Sequence, residues 1–304
     1  MAKLVIGSNK QNGIPAIVKE VGVQPSLGTK TITANGTYNA SSDNYDGYSS
    51  VTVNVPSVSE PYLELEVNNG DLRHSQATSH LLPLSGFTGI DGHLLAYAYY
   101  YNTNISGAIV FSDLKWLAHE YSCLRAFGYT HASSFSAPQL TSVTAQSACY
   151  GMFLGSRITS ASLPSLTTIS GDAALYECFR YSYVSSVDLS SLKTISGRYG
   201  LYTGFANCNY LTTMTFPALD VLTGYGALQQ AFANSAVTSL SFPALKSDSF
   251  GSYTNQFNNM LSGVTGCTVH FPSNLQSVIG SWSDVQNGFG GTNTTVLFDL
   301  PATE

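Results

Sequence analysis

One short pattern returns at a fixed interval between residues 135 and 272, and this constrains the fold more than any other feature of the chain. Its copies read FSAPQL, ASLPSL, VDLSSL, MTFPAL and LSFPAL, with VHFPSNL after them. The closing leucines Leu140, Leu166, Leu192, Leu219 and Leu245 are 26, 26, 27 and 26 residues apart. A second phase runs with them: Phe127, Phe153, Phe179, Phe205, Phe232 and Phe257 are spaced 26, 26, 26, 27 and 25. A repeat of this length cannot bury its apolar side alone, so successive copies stack and share a continuous core, which predicts a solenoid. Laying residues 82–107 over 163–186 extends the series backwards. The expected organisation is about seven coils over residues 82–266, the first degenerate as a terminal repeat should be.

Within a coil, Ala137, Leu163, Leu189, Phe216, Phe242 and Phe271 directly precede the proline position, and Phe135, Ala161, Val187, Met214, Leu240 and Val269 lie two residues earlier. Side chains alternate faces along a strand, so these point inward and the residues between them point out. The outward set is almost wholly hydroxylic, and Ser162, Asp188, Thr215, Ser241 and His270 are its candidate contact residues. Proline then ends the strand because it has no N–H to donate. Further on, Leu175 and Phe179, or Leu228 and Phe232, stand four apart, a spacing that puts both on one face of a helical turn. The expected coil is strand, turn, short helix, turn, giving an α/β solenoid whose strands form one parallel sheet with a hydroxyl-lined outer face.

Ahead of the repeats, residues 1–57 read as a small β-rich module. Residues 31–55 alternate apolar and polar at both ends, with Asn35 and Gly36 as the expected hairpin turn and Asp46 and Gly47 as a second. Residues 58–81 read as linker and N-terminal cap, and 267–304 as a closing strand and cap.

Composition removes several function classes. Apolar residues make up 43% of the 304, enough for a large core. Only 10% are charged, against roughly 25% in ordinary globular proteins, so Ser, Thr, Asn, Gly and Tyr must supply most of the wetted surface. A net charge of −6 with 12 Lys and Arg offers no basic stripe for nucleic acid. Cys123, Cys149, Cys178, Cys208 and Cys267 form no metal-ligand spacing and read as small buried hydrophobes, with a Cys123–Cys149 bridge as the alternative. His74 and His80 match no metal loop, and Asp43, Asp46 and Gly47 lack the bidentate acid of a calcium site. No nucleophile elbow, phosphate loop or paired carboxylates stand out, so neither catalysis, a metal nor a cofactor is expected. No apolar run is long enough to read as a membrane span, and the opening MAKLVIGSNKQNGIPAIVKEV lacks a signal-peptide core.

The segments GFANCNYLTTMTFPAL (204–219) and QAFANSAVTSLSFPAL (230–245) resemble the leucine-rich repeats of the BspA type, found in surface proteins of gut and oral bacteria. The family's alanine-phenylalanine, cysteine and isoleucine-x-leucine-proline positions fall on Ala231 and Phe232, on Cys208, and on residues 240–243. Most copies lack the cysteine, and Ala137 stands where the family has a large core residue. The resemblance extends over the whole series of repeats and implies a right-handed stack and a surface-binding role. Residues 31–55, with MAKLVIGSNKQNGIPAIV at the start, resemble the N-terminal part of tail-associated proteins of phages that infect Firmicutes.

Together these features lead to the expectation of a phage tail adhesin located in the virion and extracellular after lysis. Residues 1–57 would attach to other tail proteins and the solenoid would bind a host cell-surface glycan or protein; association into a homo-oligomer is left open. A bacterial BspA-like surface adhesin and a purely structural virion protein are the alternatives. Tyr97, Tyr99, Tyr100 and Tyr101 form the aromatic cluster best suited to contact. Tyr99 and Tyr101 fall near core phases, which leaves Tyr97 and Tyr100 as the expected anchors. Trp116 and Trp282 suit cap packing equally well.

Overall fold

A computed structural model describes residues 3–7, 29–32, 37–39, 50–53, 62–66, 89–92, 95–96, 99–101 and 103–303 except Ala118. The repeats form a parallel β-solenoid of about seven turns. Each coil contributes a three-residue strand, such as Ser134–Ser136, Ser160–Ser162 and Ser186–Asp188, to one wall. After a turn it gives a two-residue strand to a second wall, as at Ser142–Val143, Thr168–Ile169 and Thr194–Ile195. Partners in each wall are parallel and one coil apart: Ala161 faces Phe135 and Val187, and Ile169 faces Val143 and Ile195.

The third side of the coil departs from the expected helix. Residues 121–130 form a ribbon of consecutive turns in which alternate N–H groups do different work. Cys123, Arg125, Phe127 and Tyr129 donate to Ala148, Tyr150, Met152 and Leu154 in the following coil at 2.7–2.8 Å, while Leu124, Ala126 and Gly128 close turns onto the residues three before them. Every fourth residue turns left-handed to keep the ribbon flat, as at Tyr121, Arg125 and Tyr129 and again at Ala173, Glu177 and Tyr181. Such a conformation costs a non-glycine residue about 1–2 kcal/mol. An α-helix would avoid that cost but would consume every N–H internally and leave none for the next coil. The four-residue ribbon still places Leu175 and Phe179 on one side, and both are buried. The only α-helices among the described residues, Gln276–Ile279 and Ser283–Gln286, lie near the C-terminal end, where Trp282 packs edge-on against Phe250 at 5.0 Å.

Aromatic rings stack through the middle. Tyr99, Phe127, Phe153, Phe179, Phe205 and Phe232 form one column with centroids 5.3–5.6 Å apart and interplanar angles of 2–13°. Tyr99 therefore belongs to the core, and the Phe column continues into it rather than into Tyr101, which is exposed. The Tyr99 N–H bonds Ala126 as the Phe127 N–H bonds Met152, so the interval from Tyr99 to Phe127 is slightly longer than those that follow it.

At the N-terminal end, Lys3–Gly7 pairs in parallel with both Thr37–Asn39 and Tyr62–Glu66, which joins Gly89–Gly92 and the second wall in a nine-stranded sheet. Residues on both sides of position 57 thus share one sheet. Thr29–Ile32 runs parallel to Ser50–Val53 in a separate pair. The strands flanking Asn35 and Gly36 consequently lie in different sheets, which corrects the expected hairpin. The turn residues themselves, like Asp43, Asp46, Gly47, His74 and His80, lie outside the described residues. No helix among those described is long and apolar enough to cross a membrane.

Cys123, Cys149, Cys178, Cys208 and Cys267 are buried free thiols, not a bridged pair. A hydrogen bond with Cys149, then burial, pushes Cys123 well above the ordinary thiol range; burial does the same to Cys178, and raises Cys208 to about 12 and Cys267 to about 11. The unfolded chain would lose these protons from about pH 8.5 upward while the fold retains them, so these groups' contribution makes stability fall as pH rises beyond that point. Two results are expected: negligible labelling by a thiol reagent at pH 8 until denaturant is added, and a lower urea midpoint at pH 10 than at pH 8. Full labelling of the native protein would contradict this core.

Candidate functional site

The hydroxylic wall is two sheets rather than the single face expected. Ser162 pairs with Asp188 in a four-stranded sheet, and Thr215, Ser241 and His270 pair in series in another. Elsewhere each coil is tied to the next at both ends of its strand. The N–H groups of Ala137, Leu163, Phe216 and Phe242 reach Ser162, Asp188, Ser241 and His270, and those of Thr159, Ser185 and Thr238 reach back to Ser133, Thr159 and Thr212. The corresponding bonds from Leu189 to Thr215 and from Thr212 to Ser185 are missing among the described residues. The break coincides with the one longer interval in the leucine series, between Leu192 and Leu219. An extra residue between Cys208 and Leu211, compared with Ser182 and Val184, displaces the following strand.

Many hydroxyls of the wall serve the stack itself. Thr159 and Ser185 donate side-chain bonds to the carbonyls of Ser133 and Thr159, and Thr238 donates to Thr212, each across one coil. His270 Nδ1 lies 3.0 Å from both carboxylate oxygens of Asp299. Where the wall opens, a cleft of about 390 Å³ forms between the strands Ser186–Asp188 and Thr213–Thr215.

A second surface runs along the turn ribbon. Tyr97 lies outside the described residues. Tyr100 is half-buried, with its ring close over Gly128, where a Cβ would come within 2.7 Å of it. It makes edge contacts with Tyr101 and Tyr129 at 4.4 and 5.6 Å, and the Arg125 guanidinium lies 5.9 Å from its centroid. The same guanidinium is 5.6 Å from Tyr150, from which the stripe continues through Tyr176 and Tyr202 at 4.7 and 4.8 Å. Tyr199, Tyr225 and Tyr253 extend it in steps of 5.4–5.5 Å. Tyr202 donates its hydroxyl hydrogen to Gln230 Oε1 at 3.0 Å. Burial, the larger cause in both, raises the phenols of Tyr100 and Tyr176 to about 12, so both remain neutral donors at ordinary pH. The regular spacing of Tyr150, Tyr176 and Tyr202, one coil apart, was the signal for this stripe in the sequence; the cluster at 97–101 marks only its first end.

Among the described residues no three His, Cys, Asp or Glu side chains gather as a metal site. No family model matches the chain, and no curated protein matches it.

Proposed function

We propose that this chain is an adhesin of a phage tail, with residues 1–57 directed to the particle and the solenoid directed to a host cell-surface glycan or protein. In this reading the solenoid is a right-handed leucine-rich-repeat stack of the BspA type. The observation that carries the binding role is the tyrosine stripe. Rings following one another at about the coil spacing give an extended aromatic surface, with the Arg125 and Arg198 guanidinium groups among its tyrosines, the chemistry that stacks on sugar faces and anchors interfaces. The virion assignment rests on the sequence resemblances alone. A purely structural virion protein is the second reading, favoured by the use of the Ser and Thr hydroxyls within the stack.

Fluorescently labelled protein is expected to adsorb to some members of a panel of Firmicutes cells. Tyr176→Ala, Tyr202→Ala and Tyr100→Ala should each weaken adsorption by about 1–2 kcal/mol, roughly 10-fold, with circular dichroism unchanged. Absence of adsorption by the wild type across the panel would favour the structural reading. Adsorption that survives all three substitutions would place the binding face elsewhere.

A further inference from the structure

We infer that the cleft between Ser186–Asp188 and Thr213–Thr215 is a binding site for one neutral pyranose ring. The opening is local. On the second wall Thr194 and Ile195 still pair with Val221 and Leu222, and on the ribbon Tyr199 and Phe205 still bond Tyr225 and Ala231. The coils are held together on two sides and splayed on the third, so the space is wedge-shaped and fixed by its surroundings.

Its lining combines what a sugar needs. Val187, the inward residue of its strand, is only partly buried against the core, whereas its counterparts Ala161 and Met214 are buried. It supplies an apolar floor for the C–H face of a ring. Ser186, Thr213 and Thr215 are exposed hydroxyls on the two walls, and Asp188 adds a carboxylate acceptor. The Leu189 N–H has no hydrogen-bond partner among the described residues, a donor that every comparable coil spends on its neighbour. Asp188 Oδ1 accepts from the Ser190 N–H at 3.0 Å, which orients the carboxylate at the cleft. This coil has Ser190 where most others have proline, and so keeps the N–H that makes the arrangement possible. Three residues before each wall strand stand Tyr183 and Tyr210, 44% and 54% exposed with centroids 5.3 Å apart. An apolar floor and a few fixed polar groups are the elements of a small-ligand site, and the volume falls in the range of such sites.

The Asp188 carboxylate selects against acidic sugars.

The test is titration of the purified full chain with free methyl glycosides of glucose, galactose, rhamnose and N-acetylglucosamine, and with glucuronate, read by saturation-transfer NMR and calorimetry. At least one neutral glycoside should bind and glucuronate should not. Asp188→Asn, which retains the oxygen that caps Ser190, and Thr213→Val should each weaken binding roughly 10-fold. Ser136→Ala, in the unbroken wall, should leave it unchanged. If no neutral pyranose binds, or glucuronate binds as well as the neutral sugars, the inference is overturned. It is overturned equally if binding survives both cleft substitutions, or is lost in Tyr176→Ala instead. Free sugar and purified protein report on the cleft independently of cell adsorption, so failure of the adhesin reading and failure of this one are separate outcomes.

Discussion

Phe205→Asp is expected to abolish cooperative folding of the solenoid. Phe205 is fully buried between Phe179 and Phe232, stacked nearly parallel on the first at 5.4 Å and on the second at 5.3 Å. Truncating a buried phenylalanine costs about 3–5 kcal/mol through lost transfer energy and the cavity left behind. An unpaired carboxylate in that cavity adds several more, because no Lys or Arg is buried in the core among the described residues and the neighbouring backbone N–H groups are engaged between coils. The sum rivals the whole stability of a typical domain, about 5–15 kcal/mol. Since a solenoid is held by contacts between nearest neighbours, a failure in a central coil also uncouples the coils on either side. Circular dichroism and thermal melting of Phe205→Asp beside Phe205→Ala provide the measurement. Wild-type melting of the Asp variant would mean that the phenylalanine column is not where the coils meet.

The period and the inward positions were legible in the sequence because core burial repeats with the coil. Phe127, Phe153, Phe179, Phe205 and Phe232 occupy one column because only one orientation of each coil buries them all. The conformation of the third side was not legible. Leu175 and Phe179 lie on the same side in a helix and in a ribbon of turns, and spacing alone cannot separate the two. The distinguishing sign is weak, a polar, small or tyrosine residue at every fourth position where the backbone turns left-handed, such as Ser147, Gly151 and Gly155. The hydroxylic face was legible in composition but not in continuity. The single extra residue before Thr213 looks trivial as a slightly longer spacing, yet it opens the wall beside Asp188. Tyr100 was singled out from a local cluster, whereas its partners Tyr150, Tyr176 and Tyr202 are recognisable only when tyrosines are compared across coils.

Gly197→Ala is expected to destabilise the protein nearly as clearly, for a reason unrelated to hydrophobicity. Gly171, Gly197 and Gly224 form a column where successive coils come closest. A Cβ on Gly197 would lie 2.1 Å from the Gly171 carbonyl oxygen, and one on Gly224 would lie 2.1 Å from that of Gly197. The added Cβ is fixed by the backbone and the atom it meets is a backbone carbonyl oxygen, so no side-chain rotation relieves the clash. Relief requires separating the coils, which opposes the strand pair of Ile169 with Ile195 and the ribbon bond from Ala173 to Arg198 on either side of the glycine. Overpacking of this kind costs about 3 kcal/mol, the upper part of its usual range. For a chain of this size that corresponds to a loss on the order of 10 °C in melting temperature. Gly107→Ala is the matched control, because a Cβ there would meet nothing within 4 Å and the change should shift melting by no more than a degree or so. Equal melting of the two variants would show that the coils are spaced more widely at Gly197 than a shared carbonyl contact allows, and the stacking of the second wall would have to be redrawn.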